Sequence, residues 1–180
     1  MNLYGKKVLL RAIEEEDYEL LRSMTNDPAT ESMVIGWYYP VSKIAYKKWL
    51  DSYIGSNETI RLIIERLDTG EAIGMTSIDR IDWKNRSCYS GIKLLKAENK
   101  QQGFATDASA TAFNYVFNEL QLNRINITAL RKNFSPKIPI RFGAKLEGIQ
   151  RQAVYKNGEY QDVILYGILK ENFLEAVKNY

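Results

Sequence analysis

The sequence predicts a mixed α/β (α+β) fold in which helices flank a largely antiparallel central sheet. Three observations support this fold class. Successive β-rich runs separated by turn residues occupy positions 60–95, and the apolar spacing becomes helical from Gly103 onward. The dipeptide Asn157-Gly158 is the strongest hairpin signal in the chain. With 180 residues and no repeat, linker or low-complexity stretch, we expect a single domain over residues 1–180.

The first third of the chain predicts one strand and two helices. Val8–Arg11 has three apolar residues in succession and is predicted to be the first strand. The acids of Glu14–Asp17 suit the first turn of a helix that Pro28 should end. Ser42 is a candidate N-cap for the next helix. The predicted apolar face of that helix consists of Ile44, Ala45, Trp49 and Tyr53.

The middle of the chain predicts three consecutive strands and then a helix. The strands are Ile60–Leu67, Ala72–Ile81 and Ser87–Leu95. The helix begins near Gly103 and carries one face of small or apolar residues that can approach a sheet closely. That face consists of Ala105, Ala108, Ala112, Val116 and Leu120.

The last third predicts a strand, a short helix, a hairpin and a final helix that runs to Tyr180. The strand is Arg124–Leu130. The short helix is Ser135–Phe142, where Pro136 suits a first turn but Pro139 does not suit an interior. Asn157-Gly158 joins the strands Gln152–Lys156 and Glu159–Leu169.

Composition excludes several classes of function. The chain has no histidine, so it has no Ser-His-Asp triad, no His-ligated zinc and no histidine base. Cys88 is its one cysteine, which we expect to be a buried strand residue; no internal disulfide can form, and a cytoplasmic location is expected. A net charge of +3 is too small to predict a nucleic-acid partner, and no apolar run is long enough to predict a membrane partner.

The segment Leu94–Ala108 is the one that predicts chemistry. A strand ends, a polar loop follows, and a helix opens at Gly103 with the small Ala105 two places on. Backbone N–H groups at a helix start lack intrahelical partners and lie at the positive end of the helix dipole, so they suit a phosphate. Lys100 can add a positive charge. The alternative interpretation is tight packing alone, and the segment is neither a P-loop nor a dinucleotide fingerprint.

The run Lys100–Thr106 resembles the Arg/Gln-x-x-Gly-x-Gly/Ala loop of the GNAT superfamily of N-acetyltransferases. Further motifs agree with it in order and spacing, and the resemblance covers nearly the whole chain. They are Asn85-Arg86 before Ser90-Gly91-Ile92, Arg124-Ile125 leading to Asn133, Arg141–Ala144 followed by Glu147-Gly148, and a terminal hairpin with Arg151, Tyr155, Gly158, Tyr160 and Asp162. That hairpin is similar to the one in the ribosomal-protein-alanine (RimJ/RimL-like) acetyltransferase branch.

The resemblance implies acetyl-CoA as cosubstrate and no metal. The cofactor would enter a V between the splayed strands Ser87–Leu95 and Arg124–Leu130. Pantetheine would pair with the backbone of Ile92, Lys93 and Leu94. The pyrophosphate would lie on the loop and helix start formed by Lys100, Gln101, Gln102, Gly103, Phe104, Ala105 and Thr106, and Asn133 would reach the cofactor arm. The family reaction is direct attack of a neutral amine on the thioester, whose oxygen a backbone N–H would stabilise.

Two positions depart from that family. Tyr89 stands where many members have a glutamate, and Pro139 stands where many have a tyrosine that donates to the thiolate. The remaining catalytic candidates are Tyr89 and Ser135, with Asp79 and Asp82 as proton acceptors through water. The structural alternatives are cross-strand packing for Tyr89, an N-cap for Ser135 and a solvated strand end for the aspartates.

The acceptor is expected between the first two helices and the terminal hairpin, with Met33–Pro40 as a slot or as a packed lid. We expect the acceptor to be the primary amine of a protein N-terminus, an amino sugar or a small metabolite. Two other interpretations stay open: a CoA-binding sensor or partner module with little catalysis, and a nucleotide-binding domain. Exposed strand edges at the V would allow a homodimer.

Overall fold

In a computed structural model of the protein, residues 1–36, 39–53, 55–95, 102–132 and 134–179 are described, Asn179 by its backbone alone. The strands are β1 (Leu3–Tyr4), β2 (Val8–Arg11), β3 (Thr59–Arg66), β4 (Ala72–Asp82), β5 (Ser87–Leu94), β6 (Arg124–Leu130), β7 (Lys145–Lys156) and β8 (Glu159–Leu169). The α-helices are α1 (Tyr18–Asn26), α2 (Pro28–Met33), α3 (Lys43–Asp51), α4 (Phe104–Asn114), α5 (Lys137–Arg141) and α6 (Lys170–Ala176). Glu15–Asp17 and Val177–Asn179 are 3-10 turns, and Tyr115–Glu119 is a π-helical turn.

The eight strands form one sheet in the order β1-β2-β3-β4-β5-β6-β8-β7. All neighbouring strands are antiparallel except β5 and β6, which are parallel. The predicted fold class, a mixed and largely antiparallel sheet flanked by helices, is confirmed.

Successive strand residues point to opposite faces of the sheet, so apolar side chains lie on both faces and helices cover each of them. One core packs the small-residue face of α4 and the rings of Phe142 and Phe173 against strand residues such as Cys88 and Ile125. The second core packs α1 and α3 against the other face. It consists of Leu21, Met24, Tyr46, Leu50, Ile63 and Met75. We call these the α4 face and the α3 face of the sheet.

The predicted N-terminal helices need two corrections. Pro28 follows the end of α1, as expected, but it also starts α2, which the sequence analysis missed: the Asp27 side chain accepts from the Thr30 N–H, and proline is tolerated in a first turn. Ser42 caps α3 as predicted, with its Oγ accepting from the Ala45 N–H. The predicted apolar face of α3 is wrong at Ile44 and Ala45, which are exposed, because Tyr46 and Leu50 face the core instead.

The C-terminal half differs from prediction mainly in length. Strands β6 and β8 have the predicted bounds, but β7 begins at Lys145 rather than at Gln152. The predicted helix over Ser135–Phe142 is shorter, α5, and it contains Pro139 because in so short a helix that residue still lies in the first turn, where its missing N–H is not needed. Asn157 and Gly158 both have positive φ, as the predicted tight hairpin turn requires.

Among the described helices, none combines the length and the apolar character that a bilayer crossing requires.

Candidate active site

The sheet splits between its two parallel strands. Strands β5 and β6 pair from Ser87 with Arg124 to Tyr89 with Asn126, and both then continue, to Leu94 and Leu130, without pairing to each other. We call this opening the V and the Tyr89–Asn126 pair its apex. Beyond the apex, each strand keeps one hydrogen-bonded neighbour, β4 or β8, and turns its other edge toward the opening. The predicted splayed strand pair is thus present.

The α4 helix begins beside the V at a left-handed glycine. Gly103 is its N-cap, with φ +88°, a conformation that favours glycine. The first backbone hydrogen bond runs from the Asp107 N–H to the Gly103 carbonyl, so the amides of residues 104–106 precede it at the positive end of the dipole. The Phe104 side chain is buried in the core, which leaves its backbone for a ligand. Lys100, Gln101 and Asn133 lie outside the described residues.

A lysine that the sequence analysis missed lies at this helix start. Lys7, in the turn between β1 and β2, donates from Nζ to the Gln102 carbonyl at 2.9 Å. The same Nζ would be 3.5 Å from a Cβ built on Gly103. No local pattern could have indicated this position, because Lys7 and Gln102 are 95 residues apart in the chain.

Asp107 holds that lysine turn in place. Its buried carboxylate accepts backbone N–H groups from Lys6, Lys7 and Val8 at 2.7–3.0 Å. Gly5 permits this approach, since a Cβ there would lie 2.4 Å from the carboxylate. The first turn of α4 and the β1–β2 turn therefore form one unit beside Gly103.

The predicted pantetheine residues alternate between the two faces of β5. Ile92 and Leu94 pack against the core on the α4 face. Lys93 points to the α3 face, where burial and the positive charges of Arg61 and Lys156 lower its pKa, although Asp79 opposes them. Their backbone, rather than their side chains, borders the V.

The apex carries a polar cluster on the α3 face. Asp79 on β4 pairs in register with Tyr89 on β5. Its carboxylate accepts from Ser77 Oγ at 2.6 Å and from Arg61 Nη2 at 3.3 Å. A bulge after Asp79 gives Arg80 a positive φ, and its guanidinium lies 4.9 Å from the centre of the half-buried Tyr89 ring. Asp79 and Tyr89 thus lie side by side at the apex of the V.

Ser135 does not cap a helix, because the N-cap of α5 is Pro136. It is exposed and follows Phe134, whose ring packs against Tyr166 of β8 at 5.9 Å. It belongs to the segment after the open end of β6, whereas Tyr89 is at the apex.

Cys88 is fully buried on the α4 face, as the sequence predicted. Burial, with the nearby charge of Asp79, raises the pKa of its thiol to about 12. The thiol therefore stays protonated at neutral pH and does not serve as a nucleophile.

A cavity of about 650 Å³ lies between the α1–α2 corner and the tip of the β7–β8 hairpin. Apolar and aromatic side chains contribute much of its lining, among them Ile35, Tyr39 and Tyr155. Its charged lining residues are Glu31 and Lys156. Trp37 and Tyr38, which the sequence analysis assigned to the same slot, lie outside the described residues. Within the described part of the chain, no group of three or more Cys, Asp and Glu side chains is arranged to hold a metal ion.

Comparison with known proteins identifies the family. The model of the acetyltransferase (GNAT) domain matches residues 7–137. The uncharacterized N-acetyltransferase YoaA of Bacillus subtilis is 28% identical over 173 residues, covering 91% of this chain and 94% of YoaA. The putative ribosomal N-acetyltransferase YdaF of the same organism is 34% identical over 105 residues, 58% of this chain and 57% of YdaF.

A solved structure agrees over nearly the full length. The crystal structure of spermidine N-acetyltransferase from Vibrio cholerae in complex with CoA and spermine superimposes with a TM-score of 0.85 at 26% identity, covering 93% of this chain and 98% of that one. The chain belongs to the GNAT acetyltransferase family. It is an acetyl-CoA-dependent N-acetyltransferase, and the interpretation as a CoA-binding sensor or partner module with little catalysis is not favoured.

Proposed function

We propose that residues 1–180 form one domain that transfers the acetyl group of acetyl-CoA to the primary amine of a small molecule. The observation that carries this proposal is the V, with the α4 helix start and Gly103 beside it and an open cavity between the α1–α2 corner and the β7–β8 hairpin. The similarity to an enzyme whose structure contains CoA and spermine supports a small-molecule acceptor.

The residues at the V fit acetyl-CoA. The amides of residues 104–106 and the ammonium of Lys7 would hold its phosphates, and Gly103 leaves the space open because it has no side chain. The outward edge of Ile92–Leu94 would pair with the pantetheine arm. Gln102 and, by the family resemblance, Lys100, Gln101 and Asn133 would complete the cofactor site. Acetyl-CoA supplies the acetyl group as a thioester.

The side chains at the apex suit the proton transfers. An amine is protonated at neutral pH and has to lose a proton before it can attack. We infer that this proton leaves toward Asp79 through water. Tyr89, the residue of β5 that pairs with Asp79, lies beside this path. A backbone N–H of β5 that points into the V would stabilise the negative charge that develops on the carbonyl oxygen. Ser135 is proposed to orient the departing thiol.

A protein N-terminus is a second candidate acceptor. The similarity to the putative ribosomal N-acetyltransferase YdaF over 105 residues favours it, as does the predicted resemblance to the RimJ/RimL-like branch. A peptide with an N-terminal alanine in the acceptor panel distinguishes the two candidates, because only an enzyme that acts on protein N-termini should acetylate it faster than the small amines.

The test is an assay of thiol release from acetyl-CoA with a panel of amines, applied to the wild type and to Gly103→Glu. We expect Gly103→Glu to lose acetyl-CoA binding by at least about tenfold, because a carboxylate would occupy the phosphate position. Gly103→Ala is the matched control, since it bears the same backbone strain, about 1–2 kcal/mol, without the charge.

Equal affinity of Gly103→Glu and Gly103→Ala for acetyl-CoA would contradict the phosphate site. Failure of the wild type to release thiol with every amine and peptide would contradict the catalytic proposal. In the same assay, Tyr89→Phe and Ser135→Ala should lower kcat with little change in KM for acetyl-CoA.

A further inference from the structure

The cavity between the α1–α2 corner and the β7–β8 hairpin already contains a bound ammonium group, which is the protein's own. The Lys156 side chain is 6% exposed, and its Nζ lies 2.7 Å from Glu31 Oε1. The same Nζ donates to the carbonyls of Val34 and Gly36, each at 2.7 Å. Two carbonyl oxygens therefore accept hydrogen bonds from this ammonium, and the Glu31 carboxylate balances its charge as an ion-pair partner. We call these oxygens, of Glu31, Val34 and Gly36, the ammonium cage.

The cage leaves no net negative charge in the described lining of the cavity. Glu31 is the one carboxylate of that lining, and Lys156 neutralises it. A polyamine requires several anionic groups, because each of its ammonium groups loses solvation on binding.

The surroundings of Lys93 on the α3 face also disfavour a further positive charge. Arg61 and Lys156 act on Lys93, and the nearby carboxylate of Asp79 is already paired with Arg61. Lys93 and Lys156 belong to strands on opposite sides of the V, yet the charge of Lys156 helps to lower the pKa of Lys93. A second cationic group of an acceptor would therefore be repelled near the apex.

We propose that Lys156 is a specificity-determining residue that excludes polycationic acceptors, so that the substrate is a monoamine with an apolar or aromatic body. This inference rests on the proposed function, with the cavity as acceptor site. The uncharged lining residues Ile35, Tyr39, Val154 and Tyr155 suit such a body, since rings bury large areas at small entropic cost.

The first test compares two amines on the wild-type enzyme. We expect kcat/KM for 2-phenylethylamine to exceed that for spermidine by about tenfold or more, because like charges brought together in a partly buried site repel each other. Equal values, or a preference for spermidine, would overturn the inference and leave acetyl transfer intact. This comparison needs no variant, so it decides the matter even if a substitution at Lys156 prevents folding.

The second test empties the cage. Lys156→Ala leaves the three oxygens of the ammonium cage, one of them from the half-buried Glu31 carboxylate, without a cation. Ethylammonium and spermidine should therefore raise its melting temperature and should leave that of the wild type unchanged. The preference for 2-phenylethylamine over spermidine should also fall by about tenfold. The matched control is the double variant Glu31→Gln, Lys156→Met, which has no unpaired charge. Neither amine should raise its melting temperature, and its preference for 2-phenylethylamine should stay as in the wild type.

Equal shifts for Lys156→Ala and the wild type would contradict the ammonium cage. The melting measurement does not depend on turnover. If no amine is acetylated, the proposed function fails, while the melting shifts still decide whether Lys156 occupies an ammonium site.

Discussion

Asp107 shows how one buried carboxylate organises the cofactor end of the molecule. It accepts three backbone N–H groups from the β1–β2 turn, at 2.7–3.0 Å, and it belongs to the first turn of α4. A buried carboxylate with three donors meets most of its desolvation cost through charge-assisted hydrogen bonds. As a result, the turn that carries Lys7 is held against the helix start.

Substitution of Lys7 tests this arrangement. Lys7→Ala should raise KM for acetyl-CoA by about two- to fivefold with kcat unchanged, because an exposed cation beside the phosphates contributes modestly to binding. The difference should shrink as salt is added, since exposed charges are screened. Steady-state kinetics at two ionic strengths measure both effects.

Lys84→Ala is the control for this substitution, because it removes an equal charge from the exposed turn between β4 and β5. Identical kinetics for Lys7→Ala and Lys84→Ala would show that Lys7 takes no part in cofactor binding.

Arg11 links three secondary-structure elements that come before the V in the sequence. From the end of β2 it pairs with Asp17, at the start of α1, at 2.7 Å and with Glu65 on β3 at 2.5 Å. Burial by itself would raise the pKa of Asp17. Hydrogen bonds from Arg11 and from the Glu14 N–H outweigh that effect, and the pKa of Asp17 is lowered.

The lowered pKa of Asp17 predicts an acid-dependent loss of stability. A carboxyl with a lower pKa in the folded state stabilises the fold fully above its unfolded pKa, about 3.9, and that contribution is lost as the pH falls through the folded value. Asp17→Asn should therefore cost about 1–3 kcal/mol of unfolding free energy at pH 7.

The difference between wild type and Asp17→Asn should decrease below about pH 4. Urea unfolding from pH 7 down to pH 3 measures it. A difference that is constant over this range would contradict the role given to the Asp17 carboxylate.

Taken as a whole, the molecule is a sheet that is continuous except along one line. Helices cover both faces of the sheet. At the apex of the V, the Asn126 side chain donates to the Cys88 carbonyl at 3.0 Å and accepts from Arg124 Nε at 2.7 Å. The bond to the Cys88 carbonyl ties β5 to β6 where their pairing stops, and the bond from Arg124, within β6, holds the Asn126 amide in place. They restrict the opening to one end of the strands.

Ligand binding should close this gap in hydrogen bonding. At an acetyl-CoA concentration of about 100 Kd, amide exchange in the segments 90–94 and 127–130 should slow by up to about 100-fold, since the folded state gains about 2.7 kcal/mol from ligand at that concentration. Hydrogen-exchange mass spectrometry with and without acetyl-CoA measures the change. A peptide of the β3–β4 pair around Ile63 serves as reference, and greater slowing there than at the V would contradict the proposed cofactor position.

Local sequence patterns were sufficient for the elements that border the site. The bounds of β6 and β8, the Ser42 cap and the Asn157-Gly158 turn followed from residue types, because caps, turns and alternation depend on backbone preferences over a few residues. The helix that follows Gly103 was predictable for the same reason. The π-helical turn after Asn114 was not, since it interrupts the helix without a breaker residue.

Contacts between distant parts of the chain depended on the sheet. Lys7 meets Gln102 across 95 positions, and Lys156 meets Gly36 across 120. No sequence pattern marks either contact, because strand register and the packing of α2 against the hairpin decide that Lys156 is buried beside Glu31 while Lys7 stays exposed beside Gln102. The amino-acid order was thus enough for the fold class and for the helix start at Gly103, because both follow from residue preferences over short stretches of chain. Three-dimensional packing decided where the buried charges lie, since burial and pairing arise only when remote segments meet.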